Sequence, residues 1–151
     1  MKKLLALCLL ACFAVSCDDE TVDNIYGYPV DFALDLQYED QSLNNPYTVK
    51  VFKEVRHAGE KIGYGGLLVM CTSTTGVNQA NLYAYDLACP VEKSASIRVA
   101  YDQSSLKAKC PKCGAVYTID NGFGTPDSGS SVALQNYKVL SLGNGKYRVI
   151  N

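Results

Sequence analysis

Four cysteines, Cys71, Cys89, Cys110 and Cys113, are the side chains in this 151-residue chain whose type and spacing best suit chemistry. Cys110-Pro111-Lys112-Cys113 is a knuckle, because two intervening residues let both sulfurs turn inward onto one tetrahedral ion. Cys89 and Cys71 do not make a second Cys-x-x-Cys, so each has to join from its own loop or strand end. Glu92 could add an oxygen, although a loop carboxylate is ordinarily solvated. Four thiols are also an even number, and two disulfides among them have three possible connectivities. Structural zinc, an all-thiolate iron-sulfur cluster, and disulfides or free buried thiols are therefore all open. A redox pair at Cys110 and Cys113 is disfavoured. Such a motif depresses its thiolate pKa at a helix N-terminus, and residues 114–119 read as a strand.

No catalytic constellation is visible elsewhere, so the chain does not read as an enzyme. His57, the single histidine, sits among Lys53, Glu54 and Arg56 beside Gly59 and reads as a solvated turn residue. It leaves no Ser, His and Asp set to nominate. Gly63, Gly65 and Gly66 are not followed by Lys-Ser or Lys-Thr and a helix, so they do not form a phosphate loop. Tyr83, Tyr85, Tyr101, Tyr117 and Tyr137 could offer a sugar-stacking face, but tyrosine in strands more often packs a sheet.

Strands have to position these groups. Val30, Phe32, Leu34 and Leu36 alternate with Asp31, Ala33 and Asp35, which is the period of a pleated strand with one buried face. The same reading places strands at 49–51, 67–71, 81–85, 97–101, 106–109, 115–119, 137–142 and 146–150. Turn clusters at 44–46, 63–66, 72–78, 121–131 and 143–145 separate them. Gly143-Asn144-Gly145 is the best hairpin signal, since Asn and Gly tolerate positive φ. No stretch has a long helical period with caps. The expected fold is all-β, an antiparallel sandwich or small barrel.

Composition agrees with one such domain: 48% hydrophobic and 19% charged residues, with eleven Tyr, twelve Gly and no Trp. A formal net charge of -1 supplies no basic excess for a phosphate backbone, so a nucleic-acid partner is not expected.

The first residues stand apart. Lys2 and Lys3 precede a thirteen-residue apolar stretch, 4–16, and Cys17 is followed by Asp18, Asp19 and Glu20. At 1.5 Å per residue that stretch reaches about 20 Å, short of the roughly 30 Å hydrocarbon core, so it reads as a cleaved secretory signal rather than a spanning helix. Ala14, Val15 and Ser16 before Cys17 resemble the lipobox of bacterial lipoproteins, which implies removal of residues 1–16 and acylation of the Cys17 thiol. Leu9-Leu10-Ala11-Cys12 also resembles a lipobox, but cutting there leaves an apolar core of only about eight residues. The acidic run resembles the export tag of surface lipoproteins in some Gram-negative bacteria. These features imply an exported outer-membrane lipoprotein, periplasmic or surface-exposed. They imply attachment to the membrane through Cys17 by an acidic linker, 17–28, and leave a protein partner of unknown kind open.

Residues 82–139 carry a second resemblance. They read LYAYDLACPVE, then a strand, then LKAKCPKCGAVYTIDNGFGTPDSGSSVALQNYKV, and this is similar to the Rieske iron-sulfur family. That family offers Cys-x-His in one loop, then Cys-x-x-His-Gly-Ser, an aromatic residue and a Gly and Pro rich covering loop. Cys89 and Cys110 match the two family cysteines, Gly114, Ala115 and Tyr117 follow in order, and 122–129 resembles the covering loop. Val91 and Cys113 stand where the histidines belong, and eighteen residues separate Val91 from Cys110, a little more than the family spacing. A Rieske centre puts two imidazoles on one iron, so the ligand count excludes one here. The resemblance implies a Rieske-like β domain over 29–151 with its two cysteine loops side by side. Cys89, Cys110 and Cys113 then converge, with Cys71 as the candidate fourth ligand. Such a centre could carry zinc, a [2Fe-2S] cluster on cysteines, or a disulfide from Cys89 to Cys110 or Cys113 in place of metal. The implied function is a non-catalytic metal-binding or accessory module, or alternatively an electron-transfer protein. A cluster needs four good ligands, and nothing in the sequence aims Cys71 at Cys89, so a non-redox site is preferred.

Overall fold

The computed structural model of the protein describes residues 25–151. The expected signal segment 1–16, the expected acylation site Cys17 and the linker residues up to 24 lie outside the described residues. Residues 25–28, also assigned to the linker, pack on the domain: Ile25 is buried, and the Tyr28 ring lies 4.6 Å from that of Tyr64.

Eleven strands run in chain order: β1 (Val30–Asp35), β2 (Val49–Phe52), β3 (Lys61–Ile62), β4 (Leu67–Gly76), β5 (Gln79–Asp86), β6 (Ala100–Asp102), β7 (Lys107–Lys109), β8 (Val116–Thr118), β9 (Thr125–Ser128), β10 (Asn136–Gly143) and β11 (Lys146–Ile150). One turn of 3-10 helix, Gln41–Asn44, is the sole helical element among the described residues. All strand pairings are antiparallel. They form a seven-stranded sheet, ordered β2-β4-β5-β10-β11-β1-β3, and a four-stranded sheet, β6-β7-β8-β9. The larger sheet curls almost closed, so the fold is the expected all-β small barrel with a second sheet packed on it.

Pleating explains the two cores. Val30, Phe32 and Leu34 of β1, Tyr147 and Val149 of β11 and Phe52 of β2 point into the barrel. The first half of β4, residues 67–71, is buried on both faces. Leu67, Val69 and Cys71 enter the barrel core, while Leu68 and Met70 face outward into a second core shared with Tyr85, Val99, Ala108, Cys110, Tyr117 and Ile119 under the small sheet. That double burial is why 67–71 is a continuous apolar run.

The barrel closes where Phe52 of β2 meets Phe32 of β1, ring centroids 4.6 Å apart. The Arg56 guanidinium lies over both rings, at 4.7 and 4.9 Å, and pairs at 2.9 Å with the fully buried Asp40.

Three expectations need correction. Residues 72–76, read as a turn, continue β4, and the hairpin to β5 turns on Val77 and Asn78, the latter at φ 54°; β-branched Thr72, Thr74 and Thr75 suit the strand. β3 and β9 were not anticipated. β9 lies inside the Gly and Ser rich stretch and is held by pairing with β8 rather than by its own composition. Residues 97–99 sit outside any strand, because they bond instead to the loop after β5, through Val99 N–H to Leu87 O at 2.8 Å and Cys89 N–H to Ile97 O at 3.0 Å. The β10–β11 hairpin turns on Asn144-Gly145 as expected, with Asn144 at φ 50°.

Candidate metal centre

Two loops carry the thiols. The first leaves β5 at Asp86, whose buried carboxylate accepts the N–H groups of Tyr64 (2.7 Å), Gly65 (2.9 Å) and Ala88 (2.7 Å) and the Tyr137 hydroxyl (2.7 Å). Burial lifts the Asp86 carboxyl above the usual carboxylate range in spite of these four donors. This bracket fixes Ala88, and with it Cys89, against the 63–66 turn. Gly65 has to be glycine, since a Cβ there would run into the Ala88 amide nitrogen and come within 2.8 Å of its Cβ. Gly65→Ala should therefore cost about 1–3 kcal/mol by overpacking and weaken metal retention by displacing Cys89. Thermal unfolding with and without zinc measures both.

The second loop joins β7 to β8. Cys110 N–H bonds to Ala115 O at 2.8 Å and Gly114 N–H to Cys110 O at 3.1 Å, closing the knuckle around Gly114 at φ 77°. An ion pair between Lys112 and Glu92, 3.0 Å, ties this loop to the first.

The three sulfurs of Cys89, Cys110 and Cys113 all lie within 4.8 Å of one another, with Cys89 and Cys113 3.6 Å apart. Cys89 and Cys110 are fully buried and Cys113 is exposed. The Tyr117 hydroxyl lies 3.6 Å from the Cys89 sulfur. Burial pushes the Cys110 thiol up, but the N–H groups of Cys113 and Lys112, with the two neighbouring thiols, outweigh it and leave the group below the ordinary thiol value. Cys113 is pushed up to about 12, by desolvation and then by the Cys110 and Cys89 thiols, against the Ala115 N–H. Charge on one sulfur thus opposes charge on the next, and a bound cation removes that conflict.

The donor set suits a single thiophilic ion. Zn–S bonds of about 2.3 Å put tetrahedral sulfurs about 3.8 Å apart, close to the spacing seen. Backbone N–H groups aimed at Cys110 supply the outer hydrogen bonds that steady a thiolate ligand. A two-iron cluster fits poorly: each iron needs its own pair of protein ligands, whereas these three sulfurs surround one centre. The three thiols are positioned to hold a metal ion.

No protein-family model matches the chain, and no curated protein matches it.

Cys71, expected as the fourth ligand, is not brought to this centre. It shares the inward face of β4 with Leu67 and Val69, inside the barrel, where its thiol donates to Ser73 O at 3.5 Å. The thiol centre lies on the opposite side of that sheet, in the second core, and burial pushes the Cys71 thiol up. Cys71→Ala should accordingly leave metal content unchanged while lowering thermal stability, a contrast readable by elemental analysis. Glu92 is engaged by Lys112 rather than by the thiol group. His57 is solvent-exposed, 3.2 Å from Glu60 and 3.7 Å from Glu39, in keeping with a turn residue. Tyr85, Tyr117 and Tyr137 are buried packing residues, not a stacking face.

Asp86 was not singled out from the sequence, and Tyr117, which follows Cys110 in the Rieske-like motif, was not expected beside the Cys89 sulfur. Asp86 was detectable as the acid that ends the run Leu82-Tyr83-Ala84-Tyr85, a position that demands hydrogen-bond partners when buried. The contact between Tyr117 and Cys89 had no signal of its own, because only the fold brings β8 under Cys89.

Proposed function

We propose that this chain is an exported, lipid-anchored envelope protein whose Rieske-like β domain holds one zinc ion on Cys89, Cys110 and Cys113, as a non-catalytic metal-binding module. The observation that carries the reading is the convergence of three thiols from two loops on one point. Thiolate softness favours zinc among common divalent ions, and zinc, being d¹⁰, has no redox chemistry. The ion would staple the two loops where a histidine-ligated cluster would otherwise sit. The lipid anchor rests on the sequence around Cys17.

Elemental analysis and an absorption spectrum of protein purified without a metal-affinity tag test the metal. One zinc per chain and a colourless sample are expected. Stoichiometric iron with a visible band that bleaches reversibly on reduction would make the protein an electron carrier instead. A protein free of metal, with fewer than four free thiols after denaturation of the mature form, would put a disulfide in the ion's place. For the anchor, Cys17→Ala should abolish acylation while Cys12→Ala should change little, as read by the mass of the mature N-terminal peptide.

A further inference from the structure

We propose that the three-thiol centre is a redox-controlled metal holder, in which hydrogen peroxide links Cys113 to Cys89 as a disulfide and expels the ion. The inference rests on the zinc reading above and adds its regulation. Two observations carry it. The Cys89 and Cys113 sulfurs are 3.6 Å apart across the two loops, so closing to the roughly 2.05 Å of a disulfide takes about 1.5 Å of movement. Access to the three sulfurs is also unequal, since Cys113 is exposed while Cys89 and Cys110 have no accessible surface. With zinc bound all three sulfurs are thiolates, so exposure decides among them and an oxidant from solution meets Cys113 first.

The chemistry balances with peroxide alone. The Cys113 thiolate attacks one peroxide oxygen, the O–O bond breaks, hydroxide leaves, and the sulfur becomes a sulfenic acid after giving up two electrons. The Cys89 thiolate then attacks that sulfur, the S–O bond breaks, a second hydroxide leaves, and the S–S bond forms. Two thiolates and one peroxide yield one disulfide and two hydroxides. The ion has then lost two of its three sulfurs.

Cys89, not Cys110, is the resolving partner. The Cys110 sulfur is held by the N–H groups of Lys112 and Cys113 within its own knuckle, and pairing it with Cys113 would break those contacts. A Cys89–Cys113 bond instead joins two loops that the Lys112–Glu92 ion pair already holds together at 3.0 Å. The disulfide takes over as the staple between them, so the domain stays folded as the ion departs.

The test uses the full chain, solubilised in detergent and loaded with zinc, treated with equimolar hydrogen peroxide. A colorimetric chelator follows released zinc, and peptide mass mapping after thiol blocking locates the disulfide. One zinc should leave per disulfide formed, the link should join Cys89 to Cys113, and dithiothreitol with added zinc should restore the starting state. Cys110→Ser keeps the reacting pair and should still form that link under peroxide. Zinc that stays bound, a Cys110–Cys113 link, or Cys113 passing to sulfinic acid without a disulfide would overturn the switch and leave the zinc reading standing. A chain that never loads zinc overturns both.

Discussion

Cys110→Ser should hold zinc more than about 100-fold more weakly than the unmodified protein, beyond the 10- to 100-fold that loss of an outer hydrogen-bond partner costs a metal site. Cys110 is fully buried, receives the N–H groups of Lys112 and Cys113, and sits at the base of the knuckle, so a serine hydroxyl offers neither the charge nor the softness that the geometry serves. Zinc that binds the folded state alone adds stability by mass action, about 4 kcal/mol when free zinc exceeds its dissociation constant 1,000-fold. The melting temperature of the native sequence should rise with zinc, and that of Cys110→Ser should not. Calorimetric titration of the metal-free proteins, with melting curves at fixed free zinc, measures both. Equal affinity in the two proteins would remove the thiol centre as the metal site.

The second large effect is expected far from the thiols. Asp40 is fully buried and is paired with Lys50 at 2.8 Å and Arg56 at 2.9 Å, with the Asp35 N–H at 2.8 Å on its other oxygen. Arg56 in turn covers the Phe32 and Phe52 rings where the barrel closes. Asp40→Asn keeps the shape and removes the charge. Breaking a buried pair by deleting one partner costs about 3–5 kcal/mol, and because Lys50 and Arg56 both reach solvent we expect about 2–3. Burial pushes the Asp40 carboxyl up, but Arg56, Lys50 and the Asp35 N–H overcome it and leave the group below its ordinary value of 3.8. A depressed folded-state pKa gives stability that is full above the unfolded value and is lost as pH falls through the folded one. Urea unfolding should therefore show the largest gap between Asp40→Asn and the native sequence above about pH 5, narrowing once pH drops below 3.8. A gap that is the same at pH 3 and pH 7 would mean that the charge at Asp40 contributes nothing. Asp86 runs the other way: its raised pKa makes ionisation cost stability as pH rises, so acid lability is not assigned to it.

Much of the fold was legible because its determinants are local. Alternation in 30–36 fixed β1, and Asn144-Gly145 fixed the last hairpin, through side-chain parity and positive φ that hold wherever the segment lies. The spacing of Cys110 and Cys113 marked the knuckle for the same reason. Other features were settled only when distant segments met. In the run 67–71 every residue is apolar, so parity groups Cys71 with Leu67 and Val69 but cannot say which face meets the barrel and which meets the small sheet. That choice belongs to the packing of two sheets on opposite sides of β4, and it took Cys71 away from the other thiols. β9 formed because β8 offered it an edge, against the preference of its own Gly and Ser rich surroundings. The Asp86 bracket joins residues 64, 65, 88 and 137, and it sets where Cys89 stands. Most of the strands, the last hairpin turn and the knuckle were set locally, since their geometry is written in spacings of two or three residues. Tertiary structure decided how many thiols share one centre, because that depends on which faces of doubly buried strands are turned toward each other.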